Sequence, residues 1–186
     1  MQALIWFVMS ATLAFPASRL ADDSLYHLRS NWVTQAGDKI TLSELSGKPV
    51  VIAMAYTGCT YSCPMVVSKM KEIEKDIRAS GAEGYRMVMV SFDTKGDRPA
   101  QTAAYMKSKG LDPAQWTWLS ADDDKTVREL AAALGVTYSK SGKKDFSHSN
   151  QISLLDKDGR LSSQINGVNA DHGGLVKAVA VERKQP

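Results

Sequence analysis

Two cysteines, the only ones among 186 residues, stand where a strand-like run gives way to an amphipathic helix. The run is Val50-Val51-Ile52-Ala53-Met54-Ala55-Tyr56, short, unbroken and apolar, as a strand buried on both faces reads. Cys59-Thr60-Tyr61-Ser62-Cys63-Pro64 follows, and then Val66, Val67, Met70, Ile73 and Ile77 recur at helical spacing. A buried strand feeding such a helix points to a layered α/β fold. Proline suits the first helical position, which predicts Pro64 there and Cys63 at the N-cap. The positive end of a helix favours thiolate over thiol, and thiolates bind soft metals or attack disulfides. A structural disulfide is the plainer reading. Bridging three intervening residues closes a very small loop, however, and constrains the unfolded chain little. The pair reads as functional.

Strands and helices alternate along the rest of the chain. Asp38 to Leu45 reads as a short strand and a one-turn helix, and Gly47-Lys48-Pro49 breaks the chain after it. Gly81 and Gly84 close the cysteine helix, and Tyr85 to Phe92 is a second apolar strand. A helix from Arg98 to Lys109 opens near Pro99 and closes at Gly110, before a short strand, Trp116-Thr117-Trp118-Leu119. Asp122-Asp123-Asp124 begins a helix ending at Gly135, where acids complement the dipole more readily than they hold a metal. Ser147 to Leu155 and Arg160 to Val168 read as strands joined by Asp156-Lys157-Asp158-Gly159. That turn lacks the third acidic position and closing Glu of a calcium loop, so it reads as a hairpin. Asp171 caps a last helix running to about Arg183. Alternation predicts parallel pairing, with the hairpin adding antiparallel strands at one side. The expectation is a thioredoxin-like α/β fold, a central mixed sheet flanked by helices. Its cysteines lie at the C-terminal end of the first central strand, where such sheets place their sites.

Hydrophobic residues make up 44% and charged residues 23%, which suits one ordinary globular domain of this length. A net charge of +3, without a basic block, gives no argument for nucleic acid. The stretch from Ala3 to Phe15 is apolar, of signal-peptide length and short for a bilayer span. Ala17, Ser18 and Ala21 follow, then Asp22-Asp23. Residues 1–21 are read as a signal peptide cleaved after Ala17 or Ala21, or as an N-terminal anchor. No Lys or Arg precedes the apolar run, and neither cleavage site shows a clean A-x-A. Either alternative places the domain of residues 22–186 outside the cytoplasm, in the periplasm and near a membrane if anchored. Two lone thiols in an oxidising compartment must be kept reduced or protected by a metal.

Three intervening residues give the sulfurs more separation than a C-x-x-C pair, a spacing that also suits two thiolates converging on one ion. A structural zinc site wants four protein ligands, and the chain offers two Cys and three His. His27 and His172 read as surface residues. His148 stands at the start of a predicted strand after a polar loop, which in a thioredoxin-like sheet approaches the cysteine turn. On the residues alone, a lone histidine is more often an ordinary one, and metal binding and dithiol chemistry both remain open.

The strand ending Ala55-Tyr56-Thr57-Gly58, followed by Cys59-x-x-x-Cys63-Pro64, resembles the Sco/SenC family. Val90-Ser91-Phe92-Asp93-Thr94-Lys95-Gly96-Asp97-Arg98-Pro99 is similar to that family's V-x-x-D-P-x-x-D-x-P region. His148-Ser149, then Leu154-Leu155-Asp156-Lys157-Asp158-Gly159, looks like its histidine-bearing strand and turn. The likeness spans about residues 36–183. It implies a thioredoxin-like fold and copper, Cu(I) or Cu(II), held by Cys59, Cys63 and His148. It also implies a role in assembling the copper centre of cytochrome oxidase, with a copper-receiving protein such as an oxidase subunit as partner. Such a carrier is not an enzyme. The chain departs from the family in carrying Thr60-Tyr61-Ser62, without an acid, between the cysteines, and Ser147 where an acid usually precedes the histidine.

The alternative is an extracytoplasmic thiol–disulfide oxidoreductase working through Cys59 and Cys63, with a thiol reductant as partner. Against it, no proline lies between Pro113 and Pro186 to supply the cis-proline that thioredoxins set opposite their cysteines. A peroxidase reading is weak, because Thr57 stands two residues before Cys59 instead of three. Asp93 and Asp97 are assigned no ligand role; helix capping or support of the site is expected of them.

Overall fold

The computed structural model describes residues 22–142 and 145–182; the expected signal or anchor, residues 1–21, lies outside them. In chain order the elements are β1 (Asn31–Thr34), β2 (Lys39–Thr41), β3 (Val50–Ala55), α1 (Ser62–Ala79) and β4 (Arg86–Ser91). Next come α2 (Pro99–Lys109), β5 (Trp116–Ser120), α3 (Asp124–Ala133), β6 (Tyr138–Lys140) and β7 (Phe146–His148). The chain ends in β8 (Gln151–Leu155), β9 (Leu161–Asn166) and α4 (Gly173–Glu182).

The main sheet runs β2-β1-β5-β4-β3-β8-β9. Its centre, β3-β4-β5, is parallel, as the intervening helices require. β8 pairs antiparallel with β3, and β9 with β8, which is the expected hairpin at one side. On the other side β1 joins β5 antiparallel and carries β2. Every residue of β3 is buried, which accounts for its unbroken apolar run: helices and loops cover both of its faces. The fold is thioredoxin-like, a mixed sheet flanked by helices.

α1 buries Val66, Val67, Met70, Ile73 and Ile77, the residues whose spacing marks it in the sequence, and packs on β3 and α4. α2 begins with Pro99 and ends at Gly110, whose φ of 63° is the left-handed turn that a glycine takes most easily. The acidic run at 122–124 is used locally. Asp123 caps α3 by accepting from the Thr126 N–H at 2.9 Å, Asp124 pairs with Arg128, and Asp122 pairs with Arg98. Asp156 likewise closes the β8–β9 turn, accepting from the N–H groups of Asp158 and Arg160 at 2.9 and 2.8 Å.

Two expectations are corrected, and one strand goes beyond them. β1 is a strand that the sequence does not announce, four residues long with Trp32 fully buried. The single strand expected from Ser147 to Leu155 is two, β7 and β8, interrupted at Ser149-Asn150. β7 pairs with β6 in a separate two-stranded sheet, so His148 closes a short strand where it was expected to open a long one. Lastly, α1 begins at Ser62, with Tyr61 as the N-cap and Cys63 already inside the first turn. Pro64, the third helical residue, is tolerated within the first turn because the first four N–H groups of a helix have no partner within it.

Candidate metal centre

β3 delivers the chain to Tyr56, and the loop from Thr57 to Tyr61 carries Cys59 over the N-terminus of α1. Tyr61 makes no side-chain cap; instead the Cys63 N–H donates to the Cys59 sulfur at 3.4 Å. The sulfur therefore does the work of an N-cap oxygen, which is why the helix starts earlier than proline placement predicts. Both thiols are free. Cys59 is half-buried, whereas Cys63 is fully buried against the core.

Their acidities diverge accordingly. Partial burial acts to raise the Cys59 pKa, but the N–H groups of Cys63 and Tyr61 and the Ser62 hydroxyl favour its thiolate more strongly. The net result is a pKa brought down to about 7. Burial pushes the Cys63 thiol well up, and its neighbour Cys59 adds to that.

His148 reaches the same point from the other side. Its Nε2 lies 3.5 Å from the Cys63 sulfur and 3.0 Å from the Ser62 hydroxyl, which in turn lies 3.6 Å from the Cys59 sulfur. Its Nδ1 lies 3.0 Å from the Ser149 carbonyl. A carbonyl only accepts, so Nδ1 carries the proton and the Nε2 lone pair faces the sulfurs. The structure thus brings Cys59, Cys63 and His148 to one locus. Among the described residues, however, no three His, Cys, Asp or Glu side chains are already closed around a common point as for a metal ion. The Ser62 hydroxyl is within reach of both Cys59 and His148. The other two histidines are elsewhere. His27 is exposed, and His172, expected at the surface, is partly buried with Nε2 2.8 Å from Asp76.

An aromatic cluster fixes the histidine. Phe92 lies at the centre, with ring centroids 4.9 Å from His148, 5.3 Å from Tyr56, 5.2 Å from Tyr138 and 5.3 Å from Phe146. The Phe146 N–H also donates to the Tyr56 hydroxyl at 3.4 Å. Tyr138 ties the β6–β7 hairpin to α3 through a 2.9 Å hydrogen bond to Asp124. None of these rings stands out as functional in the sequence. Tyr56, directly before the cysteine loop, is the one whose position could have been a signal.

Asp97 supports the loop, as expected of it, and caps no helix. It is 1% exposed and accepts from the Thr57 N–H at 3.0 Å, the Thr57 hydroxyl and the Ser91 hydroxyl at 2.6 Å. Burial raises its pKa and these donors oppose the rise. With its hydroxyl committed to Asp97, Thr57 does not serve Cys59. Asp93 accepts from the Lys95 and Gly96 N–H groups in a local turn. Beside the cysteine loop opens a cavity of about 470 Å³ bordered by Thr57, Gly58, Asp97, Lys95, Lys140 and Phe146.

Two thiols and an imidazole form a soft donor set that suits copper better than a hard cation. Comparisons with known proteins agree with the architecture. A protein of Stutzerimonas stutzeri, described as a candidate copper-binding protein, is 25% identical over 137 residues. That match covers 72% of this chain and 65% of the relative, just under two thirds of its length. Bradyrhizobium japonicum ScoI, solved with copper bound, superposes with a TM-score of 0.66 at 25% identity, over 83% of this chain and 96% of that one. BsSco, described with a disulfide switch and as a member of the Sco family of cytochrome c oxidase assembly proteins, superposes with a TM-score of 0.74. It is 21% identical, over 84% of this chain and 92% of that one. The SCO1/SenC profile matches residues 24–181, almost all of the described structure. This chain belongs to the SCO1/SenC family.

Proposed function

We propose that this protein is a copper carrier that holds the ion on Cys59, Cys63 and His148 and passes it to a recipient's own ligands. The observation that carries this reading is the convergence of both cysteines and the Nε2 atom of His148 beyond the end of β3. Cu(I) would take the two thiolates and the imidazole in a trigonal set, and Cu(II) the same three with a weak fourth ligand. Half-exposed Cys59, next in the chain to Gly58 at the cavity border, is the more accessible thiol for an incoming donor to exchange with. The copper-bound ScoI and the oxidase-assembly description of BsSco support copper as cargo and a cytochrome oxidase subunit as recipient. The apolar stretch before residue 22 supports an extracytoplasmic site of action, which cell fractionation tests. No helix among the described residues is long and apolar enough to cross a membrane.

Copper titration of the reduced protein, wild type beside His148→Ala, tests the reading. One equivalent bound, with a sulfur-to-Cu(II) charge-transfer band that collapses in the variant, is expected. Binding indifferent to His148 would sink it.

The inequality of the two thiols favours a second role, thiol–disulfide exchange. Half-exposed Cys59 would attack a partner disulfide, whose other sulfur leaves as a thiolate. Cys63, having lost its proton, would then attack the Cys59 sulfur and release the partner's second thiol. Both electrons end on the partner, and a thiol reductant restores the dithiol. Trapping the mixed disulfide in Cys63→Ser but not in Cys59→Ser is the outcome expected, and the reverse order would refute it.

A further inference from the structure

Ser62 occupies the centre of the donor set, and its bonding there is decided by its neighbours. The Nδ1 proton of His148 is committed to the Ser149 carbonyl, so Nε2 of the neutral ring can only accept. The Ser62 hydroxyl, 3.0 Å from Nε2, must therefore be the donor. Its oxygen then presents its lone pairs to the Cys59 thiol, 3.6 Å away; a Cys59 thiolate competes with Nε2 for the one hydroxyl proton. Cys63, at 3.5 Å, competes for the same Nε2 lone pair as a longer and weaker sulfur donor. A metal needs that lone pair too. The Ser62 hydrogen bond occupies that lone pair.

We propose that Ser62 is a latch, a positioning residue that caps His148 Nε2 in the metal-free protein and must swing away before copper is bound. This inference rests on the three-ligand reading above. The contacts of the Ser62 hydroxyl with Cys59 and His148 are both to side chains, and it can leave them by rotation about one bond. The latch weakens copper binding by what the broken hydrogen bond was worth, and re-forming it favours release to a recipient.

The test is Cu(I) affinity, by competition with a chromogenic chelator, for wild type, Ser62→Ala, Ser62→Thr and His148→Ala, all reduced. Imidazole ¹⁵N spectra of the metal-free wild type and Ser62 variants accompany it. A neutral hydrogen bond removed from the free state alone should tighten binding about five-fold in Ser62→Ala. The Nε2 resonance of that variant should move downfield as its lone pair is uncapped, while Ser62→Thr, which keeps a hydroxyl, stays near wild type in both. Unchanged or weaker copper binding in Ser62→Ala, or an unmoved Nε2 resonance, overturns the latch. Wild-type affinity in His148→Ala overturns the ligand reading itself, and with it any role of the latch in loading. The two failures are thus told apart.

Discussion

At the scale of single residues, the site rests on contrasts between neighbours of like chemistry. Cys59 and Cys63 are both thiols, yet one caps a helix at the surface and the other is sealed in the core. The thiolate is the nucleophile, so alkylation of Cys59 should rise with pH, half-maximal near 7, and then level off. Cys63 should stay unmodified in the folded protein over the same range, as peptide mapping after iodoacetamide treatment will report. Asp97 is the second such residue. Asp97→Ala leaves the Thr57 N–H and two hydroxyls without their acceptor, and should cost about 2–3 kcal/mol in urea unfolding. Asp97→Asn, which keeps one acceptor oxygen, should cost less. The cysteines, the histidine and the supporting role of Asp97 were legible in the sequence because their residue types are rare or fall in a motif. Ser62 was not, since a serine in the first turn of a helix is commonplace and only the approach of His148 gives it meaning.

At the scale of elements, legibility followed the length of each apolar pattern. β3 and α1 bury six and seven residues each, and a pattern that long survives any local preference. The start of α1 was misplaced because a sulfur, which no capping rule counts, holds the Cys63 N–H. The β6–β7 hairpin was unreadable for a different reason. Its strands are three residues long, too short for any period, and they are held by Tyr56 and Phe92, just beyond the ends of β3 and β4. At the split, the Ser149 N–H bonds to the Thr137 carbonyl before β6, while the Asn150 carbonyl accepts from Gly167 beyond β9. Phe92, 1% exposed, is the keystone of that cluster. Phe92→Ala should lower stability by about 3–5 kcal/mol and weaken copper binding as His148 loses its wall. Phe92→Leu should keep much of both, and equal copper affinity in all three proteins would contradict this role for the hairpin.

At the scale of the molecule, the sheet is sealed at its far end by the lead-in to β1. Leu25 donates its N–H to the Gly159 carbonyl at 2.9 Å, and Tyr26 packs over the β8–β9 turn. Gly159 has a φ of +84°, and a Cβ there would stand 2.5 Å from the Tyr26 ring. Gly159→Ala should therefore destabilise the fold by more than about 1 kcal/mol, through backbone strain and steric clash together. Calorimetry will show it as a lowered Tm with copper chemistry intact in the folded fraction, because this turn lies away from the cysteines. At the other end, three side chains from two separate stretches of the chain are proposed to share one ion. X-ray absorption of the Cu(I)-loaded protein tests that sharing most directly. A coordination shell of two sulfurs and one nitrogen, the nitrogen lost in His148→Ala, is the result expected. A shell without nitrogen in the wild type, or one unchanged in the variant, would contradict it.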